Sequence, residues 1–396
     1  MDPTPHRFNG LTSAKLKCQQ LAMLVTLLLA SQLISGCTHS HFSYASCKTQ
    51  LAAKWANTDQ LHADIAKLTS PELEGRKTDT LGAELTRQYI ANRYREIGLT
   101  PWKDEFSVPF TYQYNFGERQ GSNMIGVIYA AEPTDKWRII LAHYDHLGKK
   151  GRKIYPGADD NASGVAALLQ VASQVAKHNK IGYAGLADSS QKPPQESPKL
   201  LQVASQVAKH NRIDSAPLPD PRQEQAQEPS QESLLASVNT LFVATDAEEP
   251  GLFGGYALVE QLKQLSATPQ IEQIELAINM DMIGRPGRPY VIYLEGRRGF
   301  THFDEIKRTL TDTTGLCIKA KHPRPLGRSV QKVDWLRASD HYPLHKAGIP
   351  WLYFGVPPHN DYHSSSDTIE KIDLKFLAAV SESAYQLLII DSLTLE

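Results

Sequence analysis

Histidines and carboxylates collect just beyond the apolar runs of this chain. "WRIILAH" closes on His143, followed by Tyr144 and Asp145, and "PGADDNASG" sets Asp159 and Asp160 at the entry to a helical pattern. "TLFVATDAEE" ends in Glu248 and Glu249, "LAINMD" in Asp281, and "IPWLYFGV" runs into "PPHNDYHSSSD" with His363 and Asp367. Singly, each has a plainer explanation. "DDNAS" would cap a helix, an adjacent glutamate pair is at home on a solvated surface, and a histidine after a strand is commonly a packed or surface residue. Together they are harder to dismiss, because carboxylates gathered at one place repel unless a cation neutralises them. Imidazole nitrogens with carboxylate oxygens, and no thiolate, suit zinc or a related divalent ion at a catalytic site.

The elements that must position these residues are legible as well. "NMIGVIYA", "WRIILAHYDHL", "VNTLFVATDAEE", "IELAINMDMIG", "PYVIYLEG" and "PWLYFGV" are near-continuous apolar runs, as expected of strands covered on both faces. Helical spacing falls between them, at about residues 161–179, 254–265, 301–314, 332–347 and 371–391. Upstream, "DQLHADIAKLTS" reads as a short amphipathic helix. Leu85, Tyr89, Ile90, Tyr94 and Ile97 mark a second, with Gly98 as its stop. Alternating strands and helices predict one α/β domain with a mostly parallel, mixed central sheet flanked by helices. In such sheets ligands bind beyond the carboxyl ends of the strands, where these polar residues lie.

The motifs "AHYDHLG", "PGADDNASGV", "TDAEEPGLFGG", "NMDMIG" and "YHSSSDT", in this order over about residues 60–390, resemble the M28 zinc aminopeptidases. The resemblance implies two zinc ions and peptide substrates. It casts Asp159 as the bridge between the ions, His143 and Asp281 as completing one site, and Glu249 and His363 as completing the other. Glu248 would be the general base and Asp145 would orient His143. It also implies a cis peptide bond between Asp159 and Asp160. Asp340, in "RASDHYPLHKAGIPWLYF", would lie near the general base; the alternative is a helix N-cap made by Ser339 and Asp340. Tyr362 would wall the substrate pocket or simply pack there. Two other functions stay open: a glutaminyl cyclase, which shares the fold and typically uses one zinc, and a binding lipoprotein with a dead site.

The 396 residues are 41% hydrophobic and 21% charged, with a formal net charge of −1, so nothing marks a nucleic-acid partner or a polybasic membrane surface. Arg7, Lys15 and Lys17 precede the apolar run "LAMLVTLLLASQLISGC", which fits a secretory signal. Its last four residues, Ile34-Ser35-Gly36-Cys37, resemble a bacterial lipobox. The expectation is a signal peptide over 1–36, a lipid anchor on Cys37 as the one membrane contact, a tether over 37–56 and a peptidase domain over 57–396. That places the chain in the bacterial envelope, at the outer membrane facing the periplasm. Cys47 and Cys317 could pair in such an oxidising compartment, but their spacing does not decide it. The sequence leaves the oligomeric state open.

Residues 168–180, "LLQVASQVAKHNK", recur at 200–212 as "LLQVASQVAKHNR". Two units are too few for a solenoid. Only the first copy continues from the Asp159–Asp160 motif. The duplicate therefore reads as an insertion at about 181–234, rich in Pro, Gln, Ser and Glu, between two site motifs.

Overall fold

The computed structural model describes residues 47, 50–189 (backbone alone from 180), 237–264, 268–287, 290–322, 333–391 and 395. The signal segment, Cys37 and most of the duplicated stretch lie outside them. In chain order the main elements are α1 (Thr58–Leu68), α2 (Leu81–Ile97), β1 (Thr100–Pro101), β2 (Ser107–Tyr114), β3 (Gly117–Ile128), β4 (Trp137–His143), β5 (Lys149–Lys150) and β6 (Lys153–Ile154). They continue with α3 (Gly164–Ser189), β7 (Asn239–Thr245), α4 (Phe253–Leu262), β8 (Ile274–Asp281), β9 (Val291–Glu295), α5 (Phe303–Thr314), β10 (Cys317–Lys319), α6 (His341–Lys346), β11 (Trp351–Gly355) and α7 (Leu374–Leu388).

Nine strands form one sheet in the order β1-β3-β7-β4-β8-β11-β9-β10, with β2 paired to β3. The four middle strands, β7, β4, β8 and β11, are mutually parallel, and antiparallel pairs flank them. The mixed sheet expected from the sequence is thus present, its parallel part at the centre.

Every residue of β4 and β7 is buried. Successive side chains point to opposite faces. Ile140, Ala142, Phe242, Ala244, Ile278 and Met280 join the core on one side, while Ile139, Leu141, Leu241, Val243 and Ala277 join the other. The first core includes Ile65, Ile90, Val165, Leu168 and Leu377 from α1, α2, α3 and α7; the second takes Leu258 and Leu262 of α4 and Leu344 of α6. A strand with helices on both sides has no polar face, so its sequence is apolar throughout. Side chains of this size each contribute roughly 1.5–3 kcal/mol on burial.

Three sequence expectations need correction. The helix expected over 332–347 shortens to His341–Lys346, with turns over 335–340. Trp335, which supplied part of the apparent period, instead stacks on His322 with ring centroids 3.5 Å apart. Helix α3 runs on to Ser189, past residue 181 where loop was expected. Strand β2 was not anticipated: Val108, Phe110, Tyr112 and Tyr114 alternate with polar or exposed positions along it, whereas the expected strands were continuous apolar runs.

Within the stretch expected as a tether, the described residues from Gln50 onward lie against the domain. Leu51, Trp55 and Ala56 pack on the core. The Glu382 carboxylate accepts three consecutive main-chain N–H groups, from Lys54, Trp55 and Ala56, at 2.5–2.9 Å. Cys47 is disulfide-bonded to Cys317, with the Cα atoms 4.8 Å apart. Among the described residues, no helix is long and apolar enough to cross a membrane.

Candidate metal centre

The carboxyl ends of the four parallel strands deliver the polar residues to one place. His143 is the last residue of β4 and Asp281 the last of β8; Glu248 and Glu249 follow β7, and His363 lies on the loop after β11. Two groups of potential ligands result. In the first, His143 Nε2 lies 3.3 Å from Asp281 Oδ1 and 4.0 Å from Glu248 Oε2. In the second, His146 Nδ1 lies 2.7 Å from Glu249 Oε1 and 3.7 Å from Asp160 Oδ2. His363 Nε2 closes on the second group, 3.1 Å from Glu249 Oε2 and 3.2 Å from Asp160 Oδ2.

Asp160 stands between the groups. Its Oδ1 is 3.4 Å from His143 Nε2, while its Oδ2 faces His146 and His363. Asp159, the bridge implied by the resemblance, joins neither group. Its Oδ1 accepts the Gly284 N–H at 2.6 Å, and its Oδ2 lies 3.1 Å from His359 Nε2. The cause is the path of the loop. The Asp367 carboxylate accepts the main-chain N–H of both Asp159 and Asp160, which holds the backbone so that their side chains part. The cis bond is likewise one residue further on, at Asp160–Asn161. Asn161 then ties this loop to β8: its Oδ1 accepts from Gly164 and Met282 N–H, and its Nδ2 donates to Met280 O. At Gly157 the backbone φ is +57°, and a Cβ there would sit 2.1 Å from Asp160 O and 2.6 Å from the His146 ring. Only glycine fits that approach.

Asp145, expected to orient His143, lies beside it and also holds the glutamate pair. His143 Nδ1 lies 3.1 Å from the Asp145 main-chain oxygen and 3.7 Å from its carboxylate. The carboxylate also accepts the N–H of Glu248 at 3.0 Å and of Glu249 at 3.2 Å, so its hydrogen bonds hold the glutamate pair. Asp340 is buried and accepts from Thr245 Oγ1; it stands at the helix N-cap position but makes no capping hydrogen bond. Tyr362 stacks on the His363 ring, centroids 3.8 Å apart, and lines the cleft. His146 was given no role from sequence. The available signal was its place three residues after His143 in the turn leaving β4.

The family model for peptidase family M28 matches residues 123–194 and 200–388. The chain belongs to this family. It is a hydrolase acting on peptides. No curated protein matches significantly in sequence. Among solved structures, the M28 peptidase is similar in fold to a Zn-dependent exopeptidase from Parabacteroides distasonis (TM-score 0.54, 16% identity, 86% of this chain and 100% of that one). It is similar also to the zinc aminopeptidase BSAP from Bacillus subtilis (0.54, 14%, 84% and 96%) and to a glutaminyl cyclase from Fimbriiglobus ruber (0.56, 17%, 86% and 98%).

The electrostatics of the M28 peptidase's cleft fit a cation centre. Burial, together with Asp281 and Glu249, pushes the Glu248 carboxyl well above the usual range, against the pull of His143. Burial disfavours a charged His143, yet Glu248, Asp281 and Asp160 outweigh it and drive the ring's pKa well up. Burial also opposes charge on His363, but Asp160 and Glu249 raise its pKa to about 10. His146 Nδ1 and Glu249 Oε1, 2.7 Å apart, are both buried without a well-directed hydrogen bond, as expected of atoms whose partner is a metal ion. The donor set of nitrogen and oxygen without sulfur suits zinc. Beside it lies a cleft of about 350 Å³, lined by Asp160, Glu248, Asp281 and His363 and by the apolar Met282, Val333, Trp335, Val356 and Pro358.

Proposed function

We propose that this M28 peptidase is a zinc aminopeptidase with two ions per chain, one on His143 and Asp281, the other on Glu249 with His363 and His146, and Asp160 shared between them. The observation that carries this reading is the division of the Asp160 oxygens between the two ligand groups. Zinc bound there would supply hydroxide near neutral pH and polarise the scissile carbonyl.

The protein's own part follows from its geometry. Glu248 faces the cleft beside the His143–Asp281 group, so it accepts a proton from the attacking water and returns it to the leaving amine. Asp145 fixes that glutamate through its main-chain N–H. The apolar wall of Met282, Val356 and Pro358 receives the side chain of the substrate's first residue, and Tyr362 closes the side next to His363. The zinc aminopeptidase from Bacillus subtilis, with the same fold, supports the choice of reaction. The signal segment and Cys37 support a lipid-anchored place in the bacterial envelope.

The test is an assay of zinc-loaded protein on aminoacyl reporter substrates beside N-blocked versions of the same compounds. Release from the free-amine substrates alone is expected. Cleavage of the blocked substrates alone would overturn the assignment, and cyclisation of N-terminal glutamine without hydrolysis would favour a glutaminyl cyclase.

A further inference from the structure

Arg76 is entirely buried, yet among the described residues it makes no ion pair. Four of its five N–H groups go to main-chain carbonyls. Nε donates to Tyr144 O at 2.8 Å, Nη1 to Leu68 O at 2.7 Å and Pro156 O at 2.6 Å, and Nη2 to Gly157 O at 2.9 Å. Its own carbonyl accepts the His146 N–H at 3.4 Å. These acceptors are not scattered. Tyr144 sits between His143 and Asp145, while Pro156 and Gly157 lead into Asp159 and Asp160. One rigid group thus spans the gap between the two backbone segments that present His143, His146 and Asp160. Burial lowers the Arg76 pKa to about 10 despite the carboxylates of Asp160, Asp367, Asp145 and Glu249 around it, so it stays charged at neutral pH.

We infer that Arg76 is a positioning residue of the metal centre: its guanidinium fixes the separation of the His143–His146 segment from the Asp160 loop by clamping the carbonyls of Tyr144, Pro156 and Gly157. This rests on the proposed two-metal reading. A planar fork with five donors is needed, because the acceptors lie on separate segments; a lysine ammonium keeps the charge but concentrates three donors at one point. Misplacing ligands through their supports typically lowers metal affinity tenfold to a hundredfold, about the size expected here.

Arg138 provides the control. It is also fully buried and donates to the main-chain carbonyls of Leu387 and Leu388 and to Glu275 Oε2, on α7 and β8 away from the ligand segments. Cobalt(II) is titrated into metal-free wild type, Arg76→Lys, Arg76→Gln and Arg138→Lys, followed by visible absorption and by the rise in Tm that the ion causes. Both lysine variants should melt earlier than wild type without metal. Arg76→Lys and Arg76→Gln should bind cobalt roughly tenfold or more weakly, with a smaller metal-induced rise in Tm, while Arg138→Lys binds as wild type does. If Arg76→Lys is insoluble, Arg76→Gln carries the comparison. Wild-type affinity in Arg76→Lys with a loss confined to Arg76→Gln would mean that charge alone matters, and would overturn the clamp. An equal loss in Arg138→Lys would overturn it as well. Failure of wild type to bind cobalt would instead remove the metal reading beneath it.

Discussion

Glu248 and Glu249 are neighbours in sequence with opposite surroundings. Burial would raise both, but His146 and His363 flank Glu249 and hold its carboxyl below the usual range, whereas Glu248 is pushed up. One is thereby suited to coordinate and the other to carry a proton. Glu248→Gln keeps the volume and removes the proton acceptor. Turnover should fall roughly 10²–10⁴-fold while the metal content stays at the wild-type value; turnover near wild type would refute the assignment. At this scale the sequence was partly legible. The residue types and their places beyond the apolar runs brought His143, Glu248, Glu249, Asp281 and His363 together as candidates, and the resemblance gave each its role. In "ADDN", however, two adjacent aspartates are equivalent on paper, and the contacts that separate them come from Asp367, Gly284 and His359, over a hundred residues away. His146 and Arg76 were missed as well, since His146 is revealed by the carboxylates of Glu249 and Asp160 closing on it and Arg76 by main-chain carbonyls of separate segments.

At the scale of elements, continuous apolar runs identified the parallel strands because burial on both faces leaves no other composition. The same rule is silent on β2, and periodicity overextended α6. That short helix is held instead by buried polar contacts. His341 Nε2 donates to Trp335 O at 2.9 Å, and Asn279 Nδ2 lies 3.3 Å from Nδ1, which must therefore be an unprotonated acceptor. Burial lowers the His341 pKa to about 4. Its folded pKa lies below the unfolded value, so the unfolded chain binds the extra proton first as the pH falls. Stability from this residue is present above about 6.5 and is lost between there and about 4. Relative to His341→Gln, wild type should therefore lose up to roughly 3 kcal/mol between pH 7.5 and pH 4. Urea unfolding of both metal-free proteins measures it, and parallel pH profiles would show that His341 is not the titrating group.

Across the whole molecule, the described domain begins earlier than the sequence suggested, with Cys47 bonded to Cys317 and Glu382 gathering the backbone of 54–56. Neither contact has a local signature. The duplicate is the reverse case: plain in sequence, and outside the described residues. The family match runs to residue 194 through the first copy and resumes at residue 200, where the second begins. The match thus takes in both copies, but only the first continues from the Asp160 loop into α3. Deleting 200–231 should give a soluble enzyme with turnover within a few-fold of wild type, measured on the same reporter; an inactive or insoluble product would assign the duplicate a structural role.

The account depends most on two ions sharing Asp160. The direct measurement is zinc per chain, by mass spectrometry after equilibrium dialysis, for wild type, Asp160→Asn and Asp159→Asn. Two zinc ions are predicted for wild type and for Asp159→Asn, and fewer than two for Asp160→Asn. A single zinc in wild type, or loss of metal on changing Asp159 while Asp160→Asn keeps both, would contradict it.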